Sequence, residues 1–161
     1  MVLRRQTRRR RGSQAVEAAI VFPVLLFLLL ALIVGGIGVF RYQQVALLSQ
    51  EASRWASVRG ADYQKDADQP SPTRDQIFQE AVLPFAVGMD PGRISVQVQW
   101  VDRGNATVQD WDAAPKDVKS LTPQGEYVNN AVRVTVAYEW SPGILVGPLT
   151  LTSRCEAPMS E

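Results

Sequence analysis

An uncharged run of 23 residues, from Ala18 to Phe40, constrains this chain more than any other feature of its sequence. A helix of that length is about 35 Å long, which is enough to cross a lipid bilayer. No polar stripe recurs at helical spacing inside the run, so a soluble core helix is not expected. Cleavable secretory signals usually have apolar segments of only about 7–15 residues. We therefore predict a transmembrane helix over residues 13–40, with signal cleavage near residues 35–38 as the alternative.

Charge is distributed unevenly on the two sides of this run. Residues 1–11 contain six arginines and no acid, whereas residues 41–161 contain 11 basic and 15 acidic residues. Because basic residues are retained in the cytoplasm, the N-terminus should be inside and the C-terminal part outside the cytoplasmic membrane. The arginines nearest the run are Arg8, Arg9, Arg10 and Arg11. Without a second basic stretch or interleaved aromatic residues, we expect membrane lipid and not nucleic acid as their partner.

The composition excludes several classes of enzyme. The chain contains no histidine and a single cysteine, Cys155, so histidine-dependent triads and zinc sites cannot form. Asp110 and Asp112 flank Trp111 and have the spacing of a carboxylate pair, but solvated loop acids are the favoured interpretation. Trp111 itself is either a core residue or a contact residue in a polar loop. We expect no enzyme activity, metal or cofactor, and the role of Cys155 stays open, including a covalent dimer.

One acidic residue, Glu17, stands at the start of the apolar helix. A carboxylate inside a bilayer costs up to about 2.5–3.5 kcal/mol, and such a residue is by default a functional one that has a partner. Cleavage after Gly12 would create an ammonium group on Ser13, four residues before Glu17 and on the same helix face. Glycine before a scissile bond lets a protease approach the backbone closely. The alternative is an interfacial glutamate that is merely solvated.

This arrangement of a basic leader, glycine, four residues, glutamate and an apolar helix resembles the processing site of type IV prepilins. The sequence from Gly12 to Ala19 and the following Phe22-Pro23 look more like the TadE-like pseudopilins of tight-adherence (Tad/Flp) pilus systems. The resemblance implies that a prepilin peptidase removes residues 1–12. It also implies that Glu17 recognises the N-terminal amine of a neighbouring subunit. Ser13 departs from the main pilins, which usually begin with an aromatic residue.

Small residues in the apolar helix suggest a second kind of contact. Ala15 with Ala19, and Ala31 with Gly35, are spaced by four and permit close approach of another helix. The abundance of small residues in membrane helices explains them equally well. Pro23 predicts a bend, because membrane helices tolerate proline.

Beyond the membrane segment, the pattern predicts three parts. The helix should continue as an amphipathic stalk over residues 41–59, and its small face would contact either other stalks or the chain's own head. A polar, proline-containing linker follows at residues 60–73. The head, residues 74–161, should begin with a helix capped by Thr73 and Gln76, in which Pro84 shortens the last turn. The apolar stripe predicted for this helix comprises Ile77, Phe78, Ala81, Val82 and Phe85.

Alternating residues predict strands at 94–100 and 132–140 and a shorter third strand at 149–152. The stretch 102–125 carries no clear pattern. The fold class is therefore α+β, with a transmembrane helix extended as a stalk and a head built of a helix and an antiparallel sheet.

We expect a minor pseudopilin or assembly component that acts by protein packing. Its partners would be a prepilin peptidase, other pilins or pseudopilins, the inner-membrane assembly platform and lipid. The alternative is an extracytoplasmic binding protein held by an uncleaved signal anchor, in which Glu17 would be dispensable. A membrane-tethered hydrolase would need catalytic groups that the sequence does not supply.

Overall fold

The computed structural model describes residues 8–61, 63, 68–143 and 147–160, and for residues 8–11 and 13 the backbone alone. The predictions that concern the leader before Arg8 and part of the linker lie outside the described residues. The chain divides after Val39 into two compact units, which are taken in turn below.

The first unit is helical throughout its described length. One α-helix, α1, covers Arg8–Ser57 and remains an α-helix through Pro23. Among the described side chains up to Val39, none is buried. The length and composition of this helix are sufficient for crossing a membrane. The predicted continuation beyond Phe40 is confirmed, and α1 ends at Ser57, two residues before the predicted end of the stalk at residue 59.

The last turns of α1 form part of the core of the second unit. Val45, Leu48, Ala52 and Ala56 are fully buried in one apolar cluster with residues of the sheet. Buried serines on the same face each donate a hydrogen bond to the carbonyl three residues earlier, which satisfies their hydroxyls; they are Ser49, Ser53 and Ser57. The small face of the stalk therefore packs on the chain's own head, which decides between the two predicted alternatives.

A short helical segment follows the linker and changes its winding along its length. It begins as α2, Arg74–Ile77, widens into a π-helical turn at Phe78–Val82 and closes with a 3-10 turn at Leu83–Phe85. The predicted capping box is confirmed, because the Gln76 N–H donates to Thr73 Oγ1 at 3.3 Å and the Thr73 N–H donates to Gln76 Oε1 at 2.8 Å.

The predicted apolar stripe of this segment is only partly right. Ile77, Ala81 and Val82 are buried, but Phe85 is 47% exposed. The wider π-helical turn and Pro84 change the angular spacing of the side chains, so Phe85 leaves the core face.

Four antiparallel strands form the main sheet. They are β1, Ile94–Asp102; β2, Thr107–Asp110; β5, Ala131–Trp140; and β6, Leu149–Pro158, in the order β2-β1-β5-β6. Val98 pairs with Val134, and the core side of both strands is buried, as the alternation predicted. A separate hairpin joins β3, Lys119–Leu121, to β4, Tyr127–Asn129, within the stretch that carried no sequence pattern.

The third predicted strand is wrong in length. β6 contains ten residues instead of four and pairs with β5 along its whole length, up to Pro158 opposite Ala131. Ser153 and Cys155 occupy core-side positions where the sequence has no large apolar residue. The backbone pairing with β5 therefore extends the strand beyond the point where its apolar pattern fades.

Two carboxylates at one end of the sheet have lowered pKa values. Hydrogen bonds from Arg103 at 2.8 Å and from Arg133 hold the pKa of Glu156 below its ordinary 4.5, against the effect of partial burial. Burial works to raise the pKa of Asp102, but hydrogen bonds from the side chain and N–H of Asn105 and from the Gly104 N–H hold it below 3.8.

These shifts predict a loss of head stability in acid. A carboxylate whose pKa is lowered on folding stabilises the fold above its unfolded pKa, and this contribution disappears as the pH falls through the folded value. We expect the urea midpoint of the full chain in detergent to fall below about pH 4.5. Tryptophan emission can follow this transition, because all four tryptophans lie beyond Arg41.

Glu156→Gln should remove part of that pH dependence while lowering stability at neutral pH by less than about 1 kcal/mol, since the ion pair is partly exposed. Glu126→Gln, at an exposed position on the β3–β4 turn, is the matched control and should retain the full dependence. If the urea midpoints of both variants depended on pH in the same way, the proposed contribution of Glu156 would be contradicted.

Candidate functional site

The predicted processing junction lies on the first turns of α1. Gly12, Ser13 and Glu17 all have helical backbone, so four residues separate Ser13 from Glu17 along about 6 Å of the helix axis. The junction therefore retains the same-face relation that the sequence predicted for an N-terminal amine at residue 13 and the carboxylate at residue 17.

Glu17 borders an apolar depression on the helix surface. The depression is lined by Gln14, Glu17, Ala18, Val21, Phe22 and Leu25. The carboxylate is exposed, and within the described residues it accepts no hydrogen bond and forms no ion pair. An unpaired carboxylate beside apolar side chains is a strong site for a cation, because low polarity strengthens the attraction.

The neighbours of Glu17 were not singled out in the sequence, although their spacing identifies them. Val21 and Leu25 follow Glu17 at intervals of four residues, which places both on its side of the helix, and the side chain of Phe22 completes the apolar lining. Apolar residues at helical spacing from Glu17 are therefore the sequence signal by which these neighbours could have been found.

Gly12 is exposed and has space around it. A Cβ atom placed on Gly12 would meet no atom within 4 Å. A side chain at this position is thus tolerated by the chain's own structure. A steric effect of substitution would then have to come from an external partner that approaches the backbone.

The small residues proposed for helix packing are also accessible. Ala15, Ala19, Ala31 and Gly35 are all exposed on α1, and a Cβ on Gly35 would meet no atom within 4 Å. Except for the half-buried Val34, the large apolar side chains between Val16 and Val39 are exposed, from 40% at Leu30 to 73% at Leu32. Burying one such side chain is worth about 1.5–3 kcal/mol, so this surface requires lipid or other helices around it.

The head shows no paired-carboxylate site at Asp110 and Asp112. Asp112 Oδ1 accepts the Arg74 N–H at 2.9 Å, which caps α2, and Asp110 Oδ1 accepts the Asp112 N–H at 3.1 Å. Both carboxylates therefore organise the backbone. No cluster of three or more metal-ligating side chains occurs in the part of the chain that the structure describes.

Trp111 is a core residue and not a contact residue. Its side chain is fully buried, and its indole N–H donates to the Pro72 carbonyl at 2.7 Å. This contact ties the loop after β2 to the end of the linker. The second interpretation of Trp111 is therefore wrong, because a buried indole with a satisfied N–H presents nothing to a partner.

Cys155 lies on the core side of β6, opposite Val134, and is half-buried as a free thiol. Nothing in its surroundings assigns it a role.

Residues 12–54 match the family model of TadE-like proteins. No curated protein and no solved structure matches the chain. The match covers the junction, the apolar helix and the first core turns of the second unit. The N-terminal part of this chain is therefore TadE-like.

Proposed function

We propose that this TadE-like chain is a minor pseudopilin of a tight-adherence pilus, cleaved after Gly12 by a prepilin peptidase. After cleavage, the ammonium group of Ser13 is the charge that Glu17 of a neighbouring subunit binds. The observation that carries the proposal is the carboxylate of Glu17, exposed beside an apolar surface without a charged partner among the described residues.

The unpaired state of Glu17 has an energetic consequence in a membrane. An ionised carboxylate near the bilayer carries a desolvation penalty, which an opposite charge from another subunit offsets. Before cleavage, residue 13 has only a peptide N–H, so this offset is absent. Processing therefore replaces the uncharged peptide N–H of residue 13 with an ammonium group, which Glu17 of a neighbouring subunit can bind. Cleavage is in this way linked to assembly.

Helical backbone at Gly12 bears on the cleavage step. A protease needs its scissile bond extended, so the first two turns of α1 have to unwind around residue 12. Glycine makes this easier by about 1 kcal/mol relative to alanine in a helix interior. The empty space beside Gly12 leaves the backbone open to an enzyme on the cytoplasmic side.

The membrane topology and partners follow from the same region. The leader arginines Arg8–Arg11 remain in the cytoplasm, α1 crosses the inner membrane, and the head lies outside the cytoplasm. Ala15, Ala19, Ala31 and Gly35 provide close approach for sibling pilins or pseudopilins and for the assembly platform. The head has a structural role, in selecting a sibling subunit or priming the pilus.

N-terminal sequencing of the protein purified from its native host tests the proposal. The expected mature chain begins at Ser13. Deletion of the prepilin peptidase in that host should leave the arginines of the leader on the protein, which is the matched control. A mature chain that retains the arginine leader in the presence of the peptidase, or that starts between Gly36 and Val39, would instead support the signal-anchored or signal-cleaved alternatives.

A further inference from the structure

The loop between the helical segment and β1 exposes apolar side chains although it is well anchored. Phe85 is 47% and Val87 is 73% exposed, whereas Ala86 and Met89 are buried in the core. Backbone hydrogen bonds from the Ala86 N–H to Leu83 and from the Met89 N–H to Ala86, both 3.1 Å, hold the loop in this form. Its exposed residues are thus presented by a folded loop.

Contacts with α1 place this loop beside the start of the second unit. Gln44 Nε2 donates to the Val87 carbonyl at 3.3 Å, and Arg41 Nη1 donates to Gln44 Oε1 at 2.8 Å. Gly88 has a φ of +68°, and a Cβ placed on it would lie 3.8 Å from Arg41 Nη1. The guanidinium of Arg41 therefore lies directly against the loop.

The contact of Arg41 and Gln44 with the loop lies close to the end of the uncharged run. Phe40 is the last residue of the uncharged run and Arg41 is the first charge after it. Gln44 is only about 6 Å farther along the helix. Phe40 and Tyr42 are also exposed, at 57% and 50%, and aromatic residues at this depth are typical of a membrane interface. The loop thus contacts α1 about one helical turn beyond the last residue of the uncharged run.

We propose that the loop Leu83–Met89 is a membrane-contacting loop, in which Phe85 and Val87 enter the boundary between lipid headgroups and acyl chains. Arg41, which has no acidic partner among the described residues, binds a lipid phosphate next to them. The occupant is the lipid surface, because the loop adjoins the end of the apolar run. This inference depends on the membrane-spanning helix of the proposed function, but not on cleavage after Gly12.

The opposite end of the head provides a matched control. Leu121 and Tyr127 form a neighbouring pair on the β3–β4 hairpin and are 50% and 75% exposed. A Cβ on Gly104, just after β1, would contact Leu121, so this hairpin lies near the end of β1 at Asp102. The membrane-contacting loop precedes the other end, Ile94, and the nine residues of β1 span about 26 Å.

Depth-dependent fluorescence quenching tests the proposal with the full chain in nanodiscs. In a Cys155→Ser background, Val87→Cys and, separately, Tyr127→Cys are labelled with an environment-sensitive fluorophore. The nanodiscs contain mixed zwitterionic and anionic phospholipids, part of them with a quencher on the acyl chain. The Val87 label should be quenched about fivefold more than the Tyr127 label, because it lies about 5–10 Å into the interface. Equal quenching at the two sites would overturn the proposal.

Two further variants identify the contribution of each group. Phe85→Ser in the Val87-labelled chain should shift the emission toward that of the Tyr127 label, since the loop loses most of its apolar area. With Arg41 present, quenching of the Val87 label should be stronger in nanodiscs that contain anionic lipid than in purely zwitterionic ones. Arg41→Gln should remove this difference in quenching while leaving part of the quenching itself. The tryptophan emission of each variant verifies that the head is folded.

Nanodiscs that hold one copy or several copies of the chain distinguish a lipid contact of the loop from a protein contact. Quenching in nanodiscs with a single copy supports the lipid contact. A shielded but unquenched label that appears only with several copies would show a second chain on the loop and would overturn the proposal. N-terminal sequencing of the same sample tests the proposed function independently. A chain that starts at Ser13 but carries an unquenched Val87 label would reject the membrane contact of the loop and leave the proposed processing intact.

Discussion

Gly12→Arg is expected to leave the whole leader on the protein, with no chain starting at Ser13. The structure leaves room for the new side chain, since no atom lies within 4 Å of a Cβ at this position. The loss of cleavage would therefore come from exclusion of the peptidase and not from damage to the fold. Intact-mass measurement of membrane-extracted protein reads the result directly.

Gly12→Ala separates access to the backbone from unwinding of the helix. Alanine stabilises a helix by about 1 kcal/mol relative to glycine, so cleavage that requires unwinding should slow about fivefold without stopping. Gly36→Ala makes the same change in the same helix, also with open space around it, and should be processed at the normal rate. Full processing of Gly12→Arg would refute the proposed junction.

Glu17→Ala is expected to be cleaved normally after Gly12 but to abolish incorporation into the assembly. The substitution removes the acceptor for the ammonium group of a neighbouring Ser13. Loss of one partner of a desolvated charge pair costs about 3 kcal/mol, which is about a hundredfold in association. Co-purification of tagged and untagged copies from membranes, together with pilus counts on cells, measures the effect.

Two variants control for the position and the charge of this carboxylate. Glu17→Asp retains the charge and should restore part of the association. Glu51→Ala removes a carboxylate farther along α1, where it forms a partly exposed ion pair with Arg54 at 3.8 Å, and should assemble normally. Assembly of Glu17→Ala at the normal level would leave Glu17 as a solvated interfacial residue.

The parts of the fold that could be predicted have local causes. The capping box of Thr73 and Gln76 depends on residues three apart, and the alternation in β1 and β5 follows from one buried sheet face. The junction at Gly12 and Glu17 stays a prediction, which rests on the energetic cost of a charge next to a long apolar run. The α+β class followed from these local patterns.

The parts that could not be predicted depend on contacts between distant residues. The length of β6 is determined by its pairing with β5, which its own weak alternation does not reveal. The burial of Trp111 depends on the Pro72 carbonyl, 39 residues away. The exposure of Phe85 depends on a π-helical turn, which has no clear sequence signature. Around Glu17, helical spacing would have identified Val21 and Leu25, but only after the glutamate had been chosen as the centre.

The placement of Val45, Leu48 and Ala56 inside the core determines where the protein can be cut for biochemical dissection. A fragment beginning after the predicted stalk would lack these side chains of its own core and would expose part of the buried face of the sheet to water. A fragment that begins near Arg41 retains these core side chains. The start of a fragment that retains the complete core therefore falls near Arg41, within α1, and not in the polar linker where composition alone would put it.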